Sequence, residues 1–444
     1  MTNFNLTNIW LIMFLKVFSV NELDISKGYK NGLRKIQSSS NFEKSMLIMW
    51  LLGPFIYLIE RSPADAWLSA LAFIFLIRSY KKKEWNWIKQ TWFKFAIALW
   101  ITGLISALLS PDPYFTFSQG FVWIRFPLYA VAVQTWLARD RDIRIVMLIS
   151  MCLGMIIMCL ILTIELIFSP LDASGAVKTR LTWPYGDLVP GGYLAKVSLP
   201  LFCILIAVAV NKASKLSGYY GVLALIPLGY LFLTGERTNT FLKTCSGIMS
   251  ALVWRPKFLA LIILLIIQIF CVILLFFFKP DLANRFTEKF YESLPMVSVN
   301  SGHWGTWRSG IQQGLETPII GIGPSGTRKT CFNLPDRSPE WLPGKNLCAN
   351  HPHNFYAQLF AETGIIGLFF GTCMIVSIIY TCFKGRRINP SCPMLGTAFV
   401  VPFAIFFPIQ QFGSFFGQWN NLFIWFAIAF ALSNLQNSKK RIIK

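Results

Sequence analysis

IVMLISMCLGMIIMCLILTIELIF, residues 145–168, carries a single charged side chain, Glu165. A helix needs roughly 20 predominantly apolar residues to cross a bilayer, and this stretch is long enough. The composition around it agrees. Of the 444 residues 55% are apolar, with 16 Trp and 40 Phe, more than a soluble core of this length could bury. Working outward, apolar stretches punctuated by polar turns fall near residues 46–59, 64–79, 92–109, 120–137, 145–168, 189–210, 219–233, 239–254, 258–278, 353–383, 396–410 and 419–435. The weakest are 239–254, interrupted by Lys243, and 120–137, which carries Arg125. Residues 9–18 are too short to span and lack the basic start of a signal peptide, so they read as an interfacial helix.

The expected fold class is therefore an all-α polytopic membrane protein, with about 12 transmembrane helices and one large periplasmic loop containing short amphipathic helices. Residues 1–45 read as a cytoplasmic segment, 46–278 as transmembrane helices 1–9, 279–352 as the large loop, 353–435 as helices 10–12 and 436–444 as a basic cytoplasmic tail. Orientation follows from charge. Of the 41 Lys and Arg, 24 fall in segments that are cytoplasmic when the amino terminus is inside, and 13 fall outside, 8 of them in the long loop that the positive-inside rule exempts. Both termini are then cytoplasmic. The net charge of +21 is accounted for by this topology and by anionic headgroups, which leaves no call for nucleic acid.

That topology places all three histidines outside, with Arg180, Arg237, Arg308 and Arg328, on the side kept poor in positive charge. A large anionic ligand would supply a reason. LTGERTNTF (233–241) is a short turn holding Arg237 near the membrane face, where a guanidinium presents a fixed fork of donors to phosphate oxygens. The competing reading is an arginine snorkelling to lipid headgroups, and VKTRLTWPYGD (177–187) gives Arg180 the same two readings.

In HWGTWRSGIQQGLETPIIGIGPSG (303–326), Trp304, Trp307, Ile311 and Leu315 fall at helical spacing. A helix lying on the membrane with that stripe down points Arg308 and Gln312 elsewhere. Pro318 and Gly321, Gly323 and Gly326 then end it in a turn; no Lys-Ser/Thr follows the glycines, as a phosphate loop would require. In NHPHNFYAQLFAETGIIG (350–367), Pro352 disfavours helix at His351 and Asn354 is an N-cap candidate, so His353 falls just before a helix amino terminus. The dipole there favours the neutral imidazole, which can accept a proton. The bland alternative is a capping or headgroup-binding histidine. His351 and His353 without a carboxylate pair make a poor metal site, and Gly364 and Gly367 read as helix-packing positions.

The order of a GER turn, a long outer loop with TWRSGIQQGLETPIIGIGP and then HPHNFYAQLFAETGIIGLFFG resembles the O-antigen ligase and polymerase superfamily of bacterial inner-membrane glycosyltransferases, over roughly residues 220–385. The resemblance implies that His353 is the histidine required for transfer, paired with Asn354, and that Arg237 binds the donor. Where that family often has an arginine four residues before the tryptophan, this chain has His303, while Arg308 follows Trp307. The implied donor is a glycan on undecaprenyl diphosphate, the acceptor a sugar hydroxyl on lipid A–core, and the membrane the bacterial inner membrane with a periplasmic active site.

No outer loop holds an Asp-x-Asp motif, so no metal or other cofactor is expected, and the resemblance implies transfer with inversion. His353 would be the general base and Arg237, with Arg308 or Arg180, would hold the diphosphate; Asn354, His351 and His303 complete the expected binding set. A polymerase would use the same donor. A flippase or exporter of the lipid-linked glycan would place charges along its spans, whereas Lys94, Arg125, Glu165 and Lys196 are scattered.

Of the ten cysteines only Cys331 and Cys348 lie in the outer loop, an oxidising compartment. They are the one pair positioned for a disulfide, with two free thiols as the alternative.

Overall fold

The computed structural model describes residues 19–20, 23–169, 180–186, 189–210, 217–253, 302–334, 346–388, 392–408 and 413–435, with a few isolated residues between them. The 9–18 segment, most of 258–301 and the 436–444 tail lie outside the described residues. In chain order the helices are α1 (Ile25–Ser38), α2 (Asn41–Leu51), α3 (Arg61–Lys82), α4 (Thr91–Leu108), α5 (Pro113–Trp123), α6 (Arg125–Ala132) and α7 (Arg141–Phe168). There follow α8 (Leu199–Val210), α9 (Ser217–Leu233), α10 (Arg237–Val253), α11 (Gly302–Glu316), α12 (Phe355–Ile388), α13 (Val400–Ile405) and α14 (Gln418–Ser433). The strand structure among the described residues is one two-residue antiparallel pair, Ser19–Val20 with Leu23–Asp24.

Three of these helices are long and apolar enough to cross a membrane, Thr91–Leu108, Arg141–Phe168 and Phe355–Arg387, and the pair Val189–Val197 and Leu199–Val210, bent by 50°, makes a fourth if it counts as one span. Of the twelve stretches, 258–278 lies largely outside the described residues, and polar and proline positions shorten several of the others. The 46–59 stretch divides where Pro54 opens a separate short turn, Gly53–Ile56. The 120–137 stretch divides at Ile124 between α5 and α6, where Arg125 donates to Asp65 through Nε at 3.1 Å and Nη2 at 2.8 Å. Lys243, in contrast, does not break α10: its buried ammonium donates to Leu194 O at 2.6 Å and to Ser198 Oγ at 2.8 Å.

Aromatic rings fill the centre. Tyr57, fully buried, sets its ring edge-on to Trp67, Phe423 and Phe426 and donates its hydroxyl to Leu422 O at 3.0 Å. On one flank α1 lies against α7, and its amphipathic pattern explains the contact: Gly28, Gly32 and Ile36, four residues apart, form the buried face.

The element that places the site is α12, which packs along α4 and carries α11 across it. It is not one continuous helix. Gly364 has φ 63°, ψ −168° and breaks it after Thr363, so Gly364 is a helix break rather than the packing position expected from the sequence. The amide of Ile365 turns to Pro318 O at 2.8 Å, and the freed carbonyls of Ala361 and Glu362 accept from Ile322 N and Gly323 N, both at 3.0 Å. The glycine-rich segment after α11 thus completes the hydrogen bonding of the broken helix.

A Cβ on Gly364 would lie 2.2 Å from Ile319 O and would sit at a positive φ that costs a non-glycine residue about 1–3 kcal/mol by itself. Gly364→Ala is therefore expected to lower the thermal midpoint of the detergent-purified protein by several degrees. Gly229→Ala, where nothing lies within 4 Å, should leave the midpoint unchanged or raise it. Equal midpoints for the two variants would show that the break does not need glycine.

Candidate functional site

The histidines converge. His351 and His353 have ring centroids 4.2 Å apart, and His303, from the first turn of α11, lies 5.9 Å from His353. His353 has φ 56°, a left-handed backbone rarely adopted outside glycine, and it leads directly into the cap of α12. There Asn354 Oδ1 accepts from Tyr356 N at 2.9 Å and Ala357 N at 3.0 Å, while its amide donates to Pro408 O at 2.7 Å. Asn354 acts as the N-cap that its position suggested, facing the fold and not the cavity.

The three histidines line a cavity of about 680 Å³. Its other wall is the GER turn. Gly235 at φ 68° leaves room for Arg180, whose side-chain atoms lie 3.0 Å from where a Cβ would be. Arg180 Nε donates to Thr234 O at 2.9 Å and Nη2 to Glu236 Oε1 at 2.7 Å. Glu236 Oε2 in turn accepts from Asn239 Nδ2 at 3.0 Å, and Lys196 Nζ lies 3.5 Å from Asn239 Oδ1.

Behind Arg180 the loop is fixed by the fully buried Glu165. Its oxygens accept from Thr182 N and Trp183 N at 2.8 Å and from Lys178 Nζ at 3.1 Å. Arg237 opens α10 and faces the same space, as do Arg61 and Arg328. Five Lys and Arg side chains and one carboxylate, Glu236, thus line the cavity. Desolvation, then the neighbouring His353 and Arg237, push the His303 ring down to about 4, so it is neutral at physiological pH.

Arg308 is placed differently from the expectation. The apolar stripe of α11 faces outward and its other faces are buried: Gly310 and Gly314 lie against Pro352 and Phe360 at the start of α12, while Arg308 is enclosed with its Nη1 donating to Asn346 Oδ1, in the segment before His351. It is not among the cavity-lining residues. Its segment is joined to the chain before His351 by the Cys331–Cys348 disulfide, with Cα atoms 5.5 Å apart.

Sequence reading missed Arg61, Lys196 and Glu236 as lining residues, together with a polar row on α12. Asn354, Gln358 and Glu362 lie four residues apart. Gln358 donates to Ser414 Oγ at 2.9 Å and Glu362 Oε2 at 3.0 Å and accepts from Phe415 N at 2.7 Å; Glu362 Oε2 also accepts from Ser325 N at 2.8 Å. That row ties the loops at 325 and 414 to one helix face. Its signal was the four-residue period of polar side chains in an apolar helix.

Among the described residues no group of three or more His, Cys, Asp or Glu is arranged to hold a metal ion. What the cavity offers is neutral imidazole beside a fixed excess of guanidinium and ammonium, which suits proton transfer next to a polyanion.

Residues 222–371 match the O-antigen ligase family model. This match supports the O-antigen ligase and polymerase superfamily, whose members are glycosyltransferase-like enzymes of O-antigen processing. No curated protein matches the chain. The matched segment takes in Arg237, α11, the glycine-rich turn and α12 through Gly371, whereas Arg61, Arg180, Lys196 and the α14 wall come from outside it.

The lowered pKa of His303 has a consequence for stability. Its folded value of about 4 lies below the ordinary 6.5, so folding favours the neutral ring. The stability this contributes is complete above about pH 6.5 and is lost as pH falls toward 4. In His303→Gln the thermal midpoint is expected to fall less steeply than in the wild type over that interval. Superimposable profiles would mean that His303 is not held neutral.

Proposed function

We propose that the protein is an O-antigen ligase, transferring a polysaccharide from an undecaprenyl diphosphate carrier to a sugar hydroxyl of lipid A–core. The observation that carries this reading is the single cavity in which His303, His351 and His353 meet Arg180, Arg237 and Lys196. The charge distribution along the chain supports a cavity on the periplasmic face of the bacterial inner membrane, with both termini cytoplasmic.

His353 is the general base. Its imidazole takes the proton of the acceptor hydroxyl as the hydroxyl oxygen attacks the anomeric carbon of the donor glycan. The bond from that carbon to the diphosphate oxygen breaks on the opposite face, its electron pair leaves with undecaprenyl diphosphate, and the new glycosidic bond has inverted configuration. Arg237 and Arg180 take up the charge that develops on the leaving diphosphate, the role a metal plays in many transferases. Glu236 holds the Arg180 fork in place, so its donors are preorganised before the donor arrives. Arg308, enclosed beside Asn346, takes no part in holding the diphosphate.

Deleting the gene in its host and examining lipopolysaccharide on a gel tests the activity. Loss of all long chains with accumulation of carrier-linked polymer is expected for a ligase; a core bearing one repeat would make the protein a polymerase.

Complementation then tests the residues. His353→Ala is expected to lower transfer by about 10²–10⁴-fold at unchanged membrane abundance, and His351→Ala to have a milder effect. Wild-type chain lengths from the His353 variant would remove that residue from the chemistry.

Arg237→Lys is expected to reduce transfer strongly, because a point charge does not reproduce a bidentate fork on a diphosphate. A fully active lysine variant would return Arg237 to headgroup binding.

A further inference from the structure

A second cavity, of about 750 Å³, lies at the other end of the molecule. α3, α12 and α14 begin beside the histidine cavity, and residues at or just past their far ends, Glu84, Lys384 and Leu435, line the second one. α4 runs the opposite way and opens on it with Gln90, Thr91 and Trp92. Gln90 holds the N-cap position, but its side-chain carbonyl accepts from Trp92 Nε1 at 2.8 Å, and no side chain caps the turn. The amides of Thr91 and Trp92, the first two of an 18-residue helix, are left without an intrahelical acceptor, and the positive end of the helix dipole faces the cavity. The opposing helix ends are closed. Lys83 N and Glu84 N turn back onto the last carbonyls of α3, Asn434 N and Leu435 N onto those of α14, and α12 finishes in Arg386 and Arg387.

Gln134 adds a donor that the fold does not use. It sits in the π-helical turn Val133–Leu137 that follows α6, and it lines the cavity although it is only 4% exposed. Its Oε1 is sealed in the interior; Nε2 is the accessible amide atom, and it donates to no acceptor among the described residues. An enclosed N–H without an acceptor costs free energy, so a ligand oxygen that reaches it gains at this position. Arg139 and Lys384, both exposed, bring charge of the matching sign, and the Lys384 ammonium is held 4.4 Å from the centre of the Tyr380 ring. Glu84, the one carboxylate among the described lining residues, is paired with Arg78 at 2.8 Å. Tyr80 and Trp85, exposed on either side of Glu84 in sequence, mark the level of a membrane interface.

We propose that this cavity binds the headgroup of an anionic phospholipid, its phosphate accepting from Gln134 Nε2 and the first turn of α4, with Arg139 and Lys384 balancing its charge. Trp87 and Trp92 have already given their indole N–H groups to Ser79 Oγ at 3.2 Å and Gln90 Oε1 at 2.8 Å, so they offer apolar ring faces to the glycerol and the first methylenes. This is a site separate from the histidine cavity, and it does not depend on the transferase reading.

Native mass spectrometry of the full-length protein in detergent, titrated with phosphatidylglycerol or phosphatidylcholine of identical acyl chains, tests it. Both lipids carry the phosphate, but the second adds a trimethylammonium that would lie beside two cations. The wild type is expected to retain phosphatidylglycerol about tenfold more strongly. Gln134→Leu keeps the net charge and should cut that retention about tenfold, the size of one hydrogen bond to a charged group. Arg139→Ala with Lys384→Ala should weaken it to a similar degree. Lys30→Ala with Arg34→Ala, which removes two exposed cations of α1 outside the cavity lining, should leave it unchanged. Because Arg139 and Lys384 are exposed, their double variant tests the site even if Gln134→Leu does not fold. Equal retention of the two lipids by the wild type would overturn the proposal, as would unchanged retention in a folded Gln134 variant. Equal losses from the two double variants would overturn it by reducing the binding to general attraction toward a protein of net charge +21. Displacement of the lipid by an equal concentration of glycerol 1-phosphate would do so by assigning the cavity to a soluble ester.

Discussion

The break at Gly364 is the constraint on which the placement of the site depends. A helix interrupted nine residues after its start leaves carbonyls without their i+4 amides, and in an apolar surrounding these must find donors elsewhere. Ile322 and Gly323 supply them, Ser106 adds its hydroxyl to Glu362 O at 2.8 Å, and Ile365 returns its own amide to Pro318. This backbone pairing fixes the end of α11 to the first half of α12. The start of α11 is consequently held where His303 meets His353, and two histidines close in sequence gain a third from some fifty residues upstream. Gly310 and Gly314 reinforce the register, since a Cβ at either would strike Pro352 at 2.7 Å or Phe360 at 2.2 Å.

Electrostatics acts on the same geometry. Five cationic side chains around one carboxylate would repel each other in a closed apolar space, and the structure moderates this in two ways. Glu236 neutralises Arg180 and orders Asn239, so part of the charge is spent on holding the wall. The remainder faces an open cavity where water or an anion can meet it. α3, α10, α12 and α14 all start at this cavity, so their amino-terminal dipoles add to the positive potential instead of offsetting it. Such a field suits a diphosphate whose charge grows as its glycan departs.

Much of this was legible in the sequence, and the exceptions have physical causes. Composition alone gives the membrane class, and Pro352 with Asn354 marks the start of α12 within a residue. The outward face of α11 follows from the spacing of Trp304, Trp307 and Ile311. What sequence could not show was which side of that helix meets protein: Arg308 reads as an exposed phosphate ligand until it is seen buried beside Asn346. Lys196 reads as a stray charge because its partner, Asn239, is 43 residues away and meets it only through tertiary packing. Gly364 reads as a helix-packing glycine because nothing in its own neighbourhood announces that residues 318–323 will take over its hydrogen bonds.

The division of labour along α12 follows from these contacts. Its first nine residues, Phe355–Thr363, are a short half-helix whose polar row at Asn354, Gln358 and Glu362 grips the loops that form the cavity. The second half, beyond Gly364, is apolar and runs to the far end of the molecule. A continuous helix would carry both duties on one axis, and any adjustment of the cavity wall would tilt the whole span. With the break, the half-helix is oriented by the segment at 318–323 and the span by its packing on α4, so the histidines can be set by the outer segments while the membrane-crossing part keeps its own register. At the interruption Ala361 O, Glu362 O and Ile365 N are paired with protein, as irregular backbone inside an apolar protein requires.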